Sequence, residues 1–526
     1  MKTIYKLIAA YLFIPVFLTS CSKKFLDVIP EDQLSDAVFW KTENDANLAL
    51  TGLYRGWEDY RQAGWIDMMS DVAYSKFPTP LQVMGNGQLN ATNPGLSFFT
   101  FTQIRKYNNF LEKVDPIEMD QAKKDLYKAE VRFLRAYNYW RRIESYGDFP
   151  LVTATFNDAE EAKIGRNAKS EIVSFILSEL TDVIPQLPVQ TMRESGGHAT
   201  RGAALALKAR TELYQGMWAE AMADSKAIMD QGIYELYPNY NGLFDIDNEE
   251  SNKESIMEIF YETNTYTNLI WVDMTAGNDG GGYAVIDPTD KIVSAYEMSN
   301  GKPITDPTSG YDDNQPFKNR DPRLDMTILH AGTFYNGRYF DPFTPGVDFW
   351  QNANSFRGAY GFTKFAKVIN PALVDNCGTN FMVFRLAETL LTYAEAAIES
   401  NQITTEMYDA IDAVRVRAGM PVVDRTEYNT QVKLRELVRR ERMVEFPYEG
   451  LRYYDIKRWD IGAQVIDGPL YGSKLGSVNP TTGELTLTSE KILLENRIFH
   501  PERHYLLPIP QSQLDVNPNL KQNDGY

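Results

Sequence analysis

The sequence predicts a mainly α-helical fold in which helices on both sides of a long irregular segment form one scaffold. Three observations support this prediction. First, apolar residues recur at helical spacing in four early segments, residues 43–60, 123–147, 170–187 and 199–232. Second, residues 233–380 are dense in Gly, Pro, Asp and Asn, which is typical of turns and loops. Third, helical spacing returns over residues 381–418.

The first residues have the pattern of a signal peptide. Lys2 and Lys6 precede an apolar run that is too short for a membrane-spanning helix, which needs about 20 apolar residues. A buried core helix is a poor alternative, because Pro15 would interrupt it. We therefore expect residues 1–20 to be a signal peptide and the mature chain to begin at Cys21.

The early helical segments show a buried face and recognisable ends. One face of the helix predicted within residues 43–60 carries Ala46, Leu50, Leu53 and Trp57. The helix predicted over residues 123–147 is expected to stop at Gly147, because glycine is common just beyond helix ends. Ser170 is a suitable N-cap for the helix that follows.

Residues 199–232 predict two helices joined at a glycine. Small and aromatic residues fall there at the offsets of a tetratricopeptide unit, namely Ala209, Gly216, Trp218 and Ala221. The hairpin predicted at residues 381–418 repeats this alternation of bulky and small residues. Because such repeats need neighbours to bury their faces, residues 43–231 and 381–460 are predicted to form one stack.

The segment between these helical parts predicts loops with short strands, such as one over residues 255–261. A long irregular segment inside a helical protein is usually functional, so we expect the ligand-binding part at about residues 233–380. Residues 500–526 are expected to be a closing tail. Since no low-complexity linker interrupts the chain, residues 21–526 are predicted to be one domain.

Charge and cysteine content exclude some classes of protein. The formal net charge is −18, and loss of Lys2 and Lys6 with the signal peptide makes it −20 (−18 minus 2). We expect no nucleic-acid binding, because that requires clustered cations. If Cys21 is modified, Cys377 has no partner left, so no intramolecular disulfide is expected.

Motifs of catalysis are not found in the sequence, and we expect neither an enzyme nor a cofactor. The four histidines lack the spacing of metal ligands: His198, His330, His500 and His504. A glycoside hydrolase remains an alternative, because 71 acidic residues leave room for an unrecognised carboxylate pair. Acidic loops at residues 245–250 and at Asp312 and Asp313 could hold a structural Ca²⁺.

Five blocks of sequence, in order, carry a resemblance to a known family. They are SYGDFPLV (145–152), NKESIMEIFY (252–261), FRLAETLLTYAEAA (384–397), LRELVRRERMVEFPYEGLRYYDIKRW (434–459) and HYLLPIPQSQLDVNPNLKQNDGY (504–526). The tetrapeptide LTSC that ends at Cys21 is similar to a bacterial lipobox. Together they resemble SusD/RagB-like outer-membrane nutrient-binding lipoproteins of Bacteroidota. Gln513, where an acid is common, and Asp524, where a proline is common, depart from that pattern.

The resemblance implies a function as well as a fold. It implies a lipoprotein anchored through Cys21 at the cell surface, where two or more acyl chains are needed for stable anchoring. It also implies that the protein captures oligosaccharides and delivers them, as a non-catalytic lid, to a SusC-like TonB-dependent transporter. Capture of peptides, as in RagB-like proteins, is the alternative.

The block at residues 434–459 mixes both signs of charge. We expect its side chains to pair at i, i+3 and i+4, which stabilises a helix by a few tenths of a kcal/mol per pair. The residues concerned are Arg439, Glu441, Arg442, Glu445, Glu449, Arg452, Asp455 and Arg458. Their expected role is structural.

A site for oligosaccharides needs flat aromatic rings beside polar groups. The resemblance places such a face in the irregular part and in an insertion at residues 61–97. The ligand-binding residues expected there are Trp65, Asp67, Asp71, Phe77, Asn86, Asn93, Trp271, Tyr283, Tyr335 and Trp350.

Overall fold

A computed structural model describes residues 39–277, 281–366 and 371–526. The predicted signal peptide and Cys21 lie outside these residues. Nine helices of twelve or more residues occur in the described part: α1 (Glu43–Tyr54), α2 (Thr102–Val114), α3 (Gln121–Tyr146), α4 (Lys169–Val183), α5 (Arg201–Tyr214), α6 (Trp218–Met229), α7 (Leu386–Glu399), α8 (Thr405–Arg417) and α9 (Gln431–Glu445).

Shorter helical segments connect these long helices and lie within the irregular part. The α-helical ones are Tyr60–Ala63, Pro80–Gly85, Ile270–Met274, Asp290–Ala295, Arg323–Thr327, Arg452–Arg458, Gly462–Val465, Pro501–His504 and Gln511–Val516. The 3₁₀ segments are Trp65–Met69, Asn241–Phe244, Ile246–Ser251 and Pro371–Leu373. None of the described helices is both long enough and apolar enough to cross a membrane.

The ends of the long helices follow local sequence, with one correction. Thr42 and Asp45 form a capping box at the start of α1, in which Asp45 N donates to Thr42 Oγ1 at 3.3 Å. The predicted stop of α3 at Gly147 is confirmed, and this glycine has a φ of +70°. The prediction of Ser170 as N-cap is wrong. The helix begins at Lys169, whose N–H donates to Asp148 Oδ1 at 2.8 Å.

The helices before and after the irregular part form one stack, as the sequence predicts. Helices α5 and α6 turn at Gly216, which has a φ of +73°, and α7 packs against both of them and against α8 and α9. Arg210 on α5 donates to both carboxylate oxygens of Glu388 on α7, at 2.7 and 2.6 Å. The tetratricopeptide-like scaffold is therefore built from segments far apart in sequence.

The described strands pair into five antiparallel, two-stranded sheets. The strands are β1 (Ala73–Tyr74), β2 (Ser255–Ile259), β3 (Asp287–Pro288), β4 (Ile328–Leu329), β5 (Phe334–Tyr335), β6 (Arg338–Tyr339), β7 (Gly361–Phe362), β8 (Phe381–Arg385), β9 (Gly468–Val478) and β10 (Leu485–Arg497). The pairs are β1–β3, β2–β8, β4–β7, β5–β6 and β9–β10.

Two of these sheets place the irregular part against the rest of the molecule. Strand β2 confirms the strand predicted over residues 255–261, although it ends at Ile259, and its partner β8 leads directly into α7. The β1–β3 pair joins the insertion at residues 61–97 to the irregular part. The long β9–β10 hairpin is an element that the sequence analysis did not predict.

The charged block at residues 434–459 is a structural lattice, but the prediction that it pairs along its own helix is wrong. Among the described contacts of the residues predicted to pair, only Arg458 and Asp455 form such a pair, at i and i+3. Glu445 contacts Arg323 and Arg385 from distant segments, at 2.9 and 2.7 Å. These side chains are fully buried, so each charge depends on its partners.

Candidate ligand-binding site

Two of the predicted ligand residues are tryptophans that the structure buries, so the prediction is wrong for both. Trp65 is 1% exposed and Trp271 is 3% exposed. Trp65 Nε1 donates to Asp273 Oδ2 at 2.9 Å, and Trp271 and Asp273 both lie in the short helix Ile270–Met274. The hydrogen bond from Trp65 to Asp273 therefore holds the insertion at residues 61–97 against the irregular part.

Two predicted carboxylates are buried as well and bind the C-terminal block instead of facing solvent. Asp67 Oδ2 accepts hydrogen bonds from Tyr448 N at 2.9 Å and Gly450 N at 3.2 Å. Asp71 accepts two from Arg452, at 2.8 and 2.9 Å. Because a buried polar group needs such partners, both acids are structural, and their prediction as ligand contacts is wrong.

Three other predicted residues lie at the surface in turns and hairpins. Asn86 Oδ1 accepts from Gln88 N at 3.1 Å, and Asn93 pairs with Asn90 through two backbone hydrogen bonds, at 3.0 and 3.1 Å. Tyr335 lies half-buried in the β5–β6 hairpin. These contacts stabilise local turns, and a role in ligand binding stays a prediction for all three.

The remaining predicted residues, Phe77, Tyr283 and Trp350, lie on segments connected to the β1–β3 pair, and we name them the aromatic face. Phe77 follows β1, and Tyr283 precedes β3. Tyr283 is 51% exposed, while Phe77 and Trp350 are half-buried with part of each ring accessible. Sequence positions more than 210 residues apart (287 minus 74 is 213) thus meet at the β1–β3 sheet.

The loop at residues 349–358 joins the third ring to the other two. Lys76 Nζ, beside Phe77, donates to Ser355 O at 2.7 Å. Gly277 N, on the segment that leads to Tyr283, donates to Asn354 O at 2.9 Å. These bonds attach the loop that carries Trp350 to segments next to the β1–β3 pair, and so bring the three rings into one region of the fold.

Polar groups that the sequence analysis missed lie beside these rings. Arg357 Cζ is 5.7 Å from the ring centre of Trp350, and Lys76 Nζ is 5.1 Å from that of Phe77. Asn354 is exposed on the same loop as Trp350. The sequence does contain a signal for these polar groups, because each lies within seven residues of a predicted aromatic residue. Flat rings flanked by amide, ammonium and guanidinium donors can hold a ligand that has apolar faces and many hydroxyls.

A buried carboxylate lies beneath the aromatic face. Asp287 Oδ2 accepts from Gly358 N at 3.2 Å and so fixes the end of the loop. Burial raises the pKa of Asp287 to about 7, although Lys76, Gly358 and Arg357 act to lower it. The loop is therefore held by an acid that is partly protonated near neutral pH.

Asp287→Asn is expected to stabilise the protein more at pH 8 than at pH 5. The ordinary Asp pKa of 3.8 rises to about 7 in the fold, so the native state holds a proton that the unfolded chain has lost, and stability falls as pH rises through this window. The difference in unfolding free energy, variant minus wild type, should increase by about 1–3 kcal/mol between the two pH values. Chemical denaturation at both pH values measures it, and an unchanged difference would contradict the assignment.

The part of the chain that the structure describes contains no preformed cluster of metal ligands. No group of three or more His, Cys, Asp or Glu side chains is placed there to hold an ion. Asp313 Oδ2 is paired with Lys474 at 2.5 Å, and Asp312 Oδ1 accepts from Asn314 N at 2.9 Å. A structural Ca²⁺ stays a prediction.

Comparison with known proteins identifies the family. The sequence profile of the SusD family matches residues 243–526, which is more than half of the chain. The chain belongs to the SusD family. A second profile, described as starch-binding and associating with the outer membrane, matches residues 24–213. The SusD/RagB-like resemblance of the five sequence blocks is thereby confirmed.

Individual SusD-like relatives match nearly the whole chain. The SusD-like protein P25 of Formosa agariphila is 25% identical over 98% of both chains. The starch-binding protein SusD of Bacteroides thetaiotaomicron is 27% identical over 80% of this chain and 76% of that one. A crystal structure of a SusD-like carbohydrate-binding protein from Bacteroides fragilis is 30% identical, with a TM-score of 0.82 over 92% of this chain and 100% of that one. The mainly helical SusD-like fold is confirmed.

Proposed function

We propose that this SusD-family protein captures oligosaccharides at the cell surface without cleaving them. The observation that carries the proposal is the aromatic face, with Lys76, Asn354 and Arg357 beside its three rings. Sugar rings present apolar C–H faces to aromatic rings and hydroxyls to the flanking donors. The names of two relatives support the ligand class, because one is a starch-binding protein and the other a carbohydrate-binding protein.

Calorimetry tests the ligand class directly. The chain from Ser22 onward is titrated with plant, fungal and host oligosaccharides, and with peptides as the control class. Heat from one class of glycan, with no release of reducing ends on long incubation, is the expected result. Heat from peptides alone would indicate that the protein captures peptides instead of oligosaccharides. Release of reducing ends would indicate a glycoside hydrolase.

The captured oligosaccharide then passes to a SusC-like TonB-dependent transporter, over whose mouth the protein acts as a lid. Support comes from the profile that describes association with the outer membrane and from the predicted lipobox. A lipid anchor keeps a lid and its transporter at a high effective concentration. Affinity purification of the tagged lipoprotein from outer membranes should recover a TonB-dependent barrel in stoichiometric amount, and its absence would contradict the delivery step.

Cys21→Ser is expected to release the protein from the membrane. The formal net charge of −18 repels anionic lipid surfaces, and the predicted lipobox places acyl chains on Cys21, which hold the protein at the membrane. Fractionation of cells that express the variant should move the protein from the membrane pellet to the soluble fraction. Lys23→Ser, two positions away, is the matched control and should stay in the pellet. A variant at Cys21 that remains in the membrane fraction would contradict lipidation there.

A further inference from the structure

A cavity lies between the end of α1 and the end of β2, apart from the aromatic face. Its volume is about 360 Å³, and the aromatic side chains that line it are Tyr54, Trp57, Phe260 and Tyr266. No residue of the aromatic face is among the described residues that line it. The volume lies in the range of small-molecule sites, which are concave and mostly apolar with few polar groups.

The aromatic walls of this cavity are held rigidly. Tyr54 Oη donates to Glu130 Oε2 at 2.7 Å and accepts from Ala199 N at 2.9 Å. Tyr266 is stacked on Tyr261 with ring centres 5.4 Å apart. Because these contacts fix the ring planes before any ligand arrives, little order is lost on binding.

Phe260 completes the walls and has two close neighbours. The guanidinium of Arg193 lies 5.3 Å from its ring centre. Gly197 also lies against this ring, because an added Cβ there would be 3.2 Å from Phe260 Cε2. Gly197 has a φ of +91°, so a side chain would be strained there. Glycine at this position keeps room for the ring.

Two donors at the cavity have no acceptor among the described residues. Arg55 contacts the Tyr266 ring, with its guanidinium carbon 5.5 Å from the ring centre, and no carboxylate of the described chain pairs with it. Trp57 is 5% exposed as a residue, but its Nε1 is not among the buried unpaired atoms of the described residues, so this N–H is accessible to water or to a ligand. A ligand with an anionic or carbonyl oxygen would satisfy both donors.

The cavity also has one acid, Glu258, which is already engaged. Glu258 Oε2 accepts from Asn380 Nδ2 at 2.8 Å and lies 3.5 Å from Arg193 Nη2. Few free polar groups therefore remain to match the many hydroxyls of a neutral sugar. The lining favours a flat ring with one acceptor group.

We propose that this cavity binds a planar aromatic ring that carries a carboxylate or ester carbonyl. The ring lies between Tyr54, Phe260 and Tyr266, and its oxygen faces Arg55 and the indole N–H of Trp57. Such a ring exists as a free aromatic acid or as an aromatic acyl ester on a sugar. The site is independent of the proposed oligosaccharide site, so either can fail alone.

Calorimetry on the full-length protein in lipid nanodiscs tests this proposal, with empty nanodiscs as the blank. The probes are 4-hydroxycinnamate, its methyl ester and its arabinose ester. Tyr266→Ala is expected to weaken the binding of every probe that binds by about 5-fold or more, since aromatic anchors of this kind each contribute about 1 kcal/mol or more. Arg55→Ala is expected to weaken the binding of the free acid about 10-fold and the binding of the esters less. Phe334→Ala, at an exposed aromatic outside the cavity, is the control and should change nothing.

The outcomes separate the two sources of the ring. Binding of the free acid alone indicates a soluble aromatic acid, whereas binding of the arabinose ester indicates an acylated sugar, and both support the site. No binding of any probe to the wild-type protein would overturn the proposal. Binding that both Tyr266→Ala and Arg55→Ala leave unchanged would overturn it as well.

Discussion

Arg385→Met is expected to destabilise the protein by about 3–5 kcal/mol, because it leaves three buried carboxylates without their shared cation. Arg385 is 2% exposed and contacts Glu254, Glu445 and Glu449, each at 2.7 Å. Methionine fills a similar volume but pairs with none of them. Urea denaturation followed by circular dichroism measures the loss of stability. A variant that does not fold at all would agree with this prediction.

The matched control is Arg435→Met, which removes one partly exposed ion pair. Among the described residues Arg435 pairs with Glu399, and 30% of the Arg435 side chain is accessible. Glu399 keeps a second cation, Arg439 at 3.9 Å, when Arg435 is removed. The expected loss is below about 1 kcal/mol. Equal losses of unfolding free energy for the two variants would contradict the larger stabilising role that we assign to Arg385.

The same cluster predicts loss of stability in acid. Burial acts to raise the pKa of Glu445, but Arg417, Arg385 and Arg323 hold it at about 2, below the ordinary 4.5. A carboxylate with a depressed native pKa stabilises the fold above its unfolded pKa, and this contribution disappears as pH falls from about 4.5 to about 2. Arg385→Met should therefore show a shallower decline in stability over that range than the wild-type protein.

Trp350→Ala combined with Tyr283→Ala is expected to weaken oligosaccharide binding by about 30-fold or more. Each ring of the aromatic face should contribute about 1 kcal/mol or more, and every 1.4 kcal/mol is a factor of ten in affinity. Both side chains are accessible and lie in loops, so the fold should tolerate their removal. Calorimetry with the oligosaccharide that gives heat measures the effect, alongside each single variant.

Phe334→Ala is the control for this pair. Phe334 is 65% exposed in the β5–β6 hairpin, outside the aromatic face, and its loss should leave affinity unchanged. If Phe334→Ala weakened binding as strongly as the double variant, the ligand surface would have to include that hairpin. If the double variant bound as tightly as the wild-type protein, the aromatic face would be wrong as the site.

The scaffold could be predicted from sequence because helical periodicity and helix ends are local signals. The glycine that ends α3 and the hairpin turn at Gly216 are visible in short windows. The β9–β10 hairpin was missed because its pairing has several register shifts, between Leu487 and Glu495, which interrupt the alternation that marks a strand.

The candidate site was predictable only in part, because exposure depends on partners that are distant in sequence. Trp65 and Trp350 are both aromatic residues outside the long helices. Trp65 is nevertheless buried, and its indole N–H donates to Asp273, which is 208 residues away. Likewise, the signs of the charges in residues 434–459 are plain in the sequence, but the partner of Glu445 on β8, Arg385, is not. Local patterns supply candidates, and the tertiary fold selects among them.

Hydroxyl-radical footprinting, with and without the bound oligosaccharide, tests the central claim most directly. We expect protection of Tyr283, Trp350 and Phe77, with unchanged labelling of Phe156 and Phe334, whose side chains are exposed elsewhere. Unchanged labelling of all three rings at saturating oligosaccharide, with protection at another surface, would contradict the assignment of the aromatic face as the ligand site.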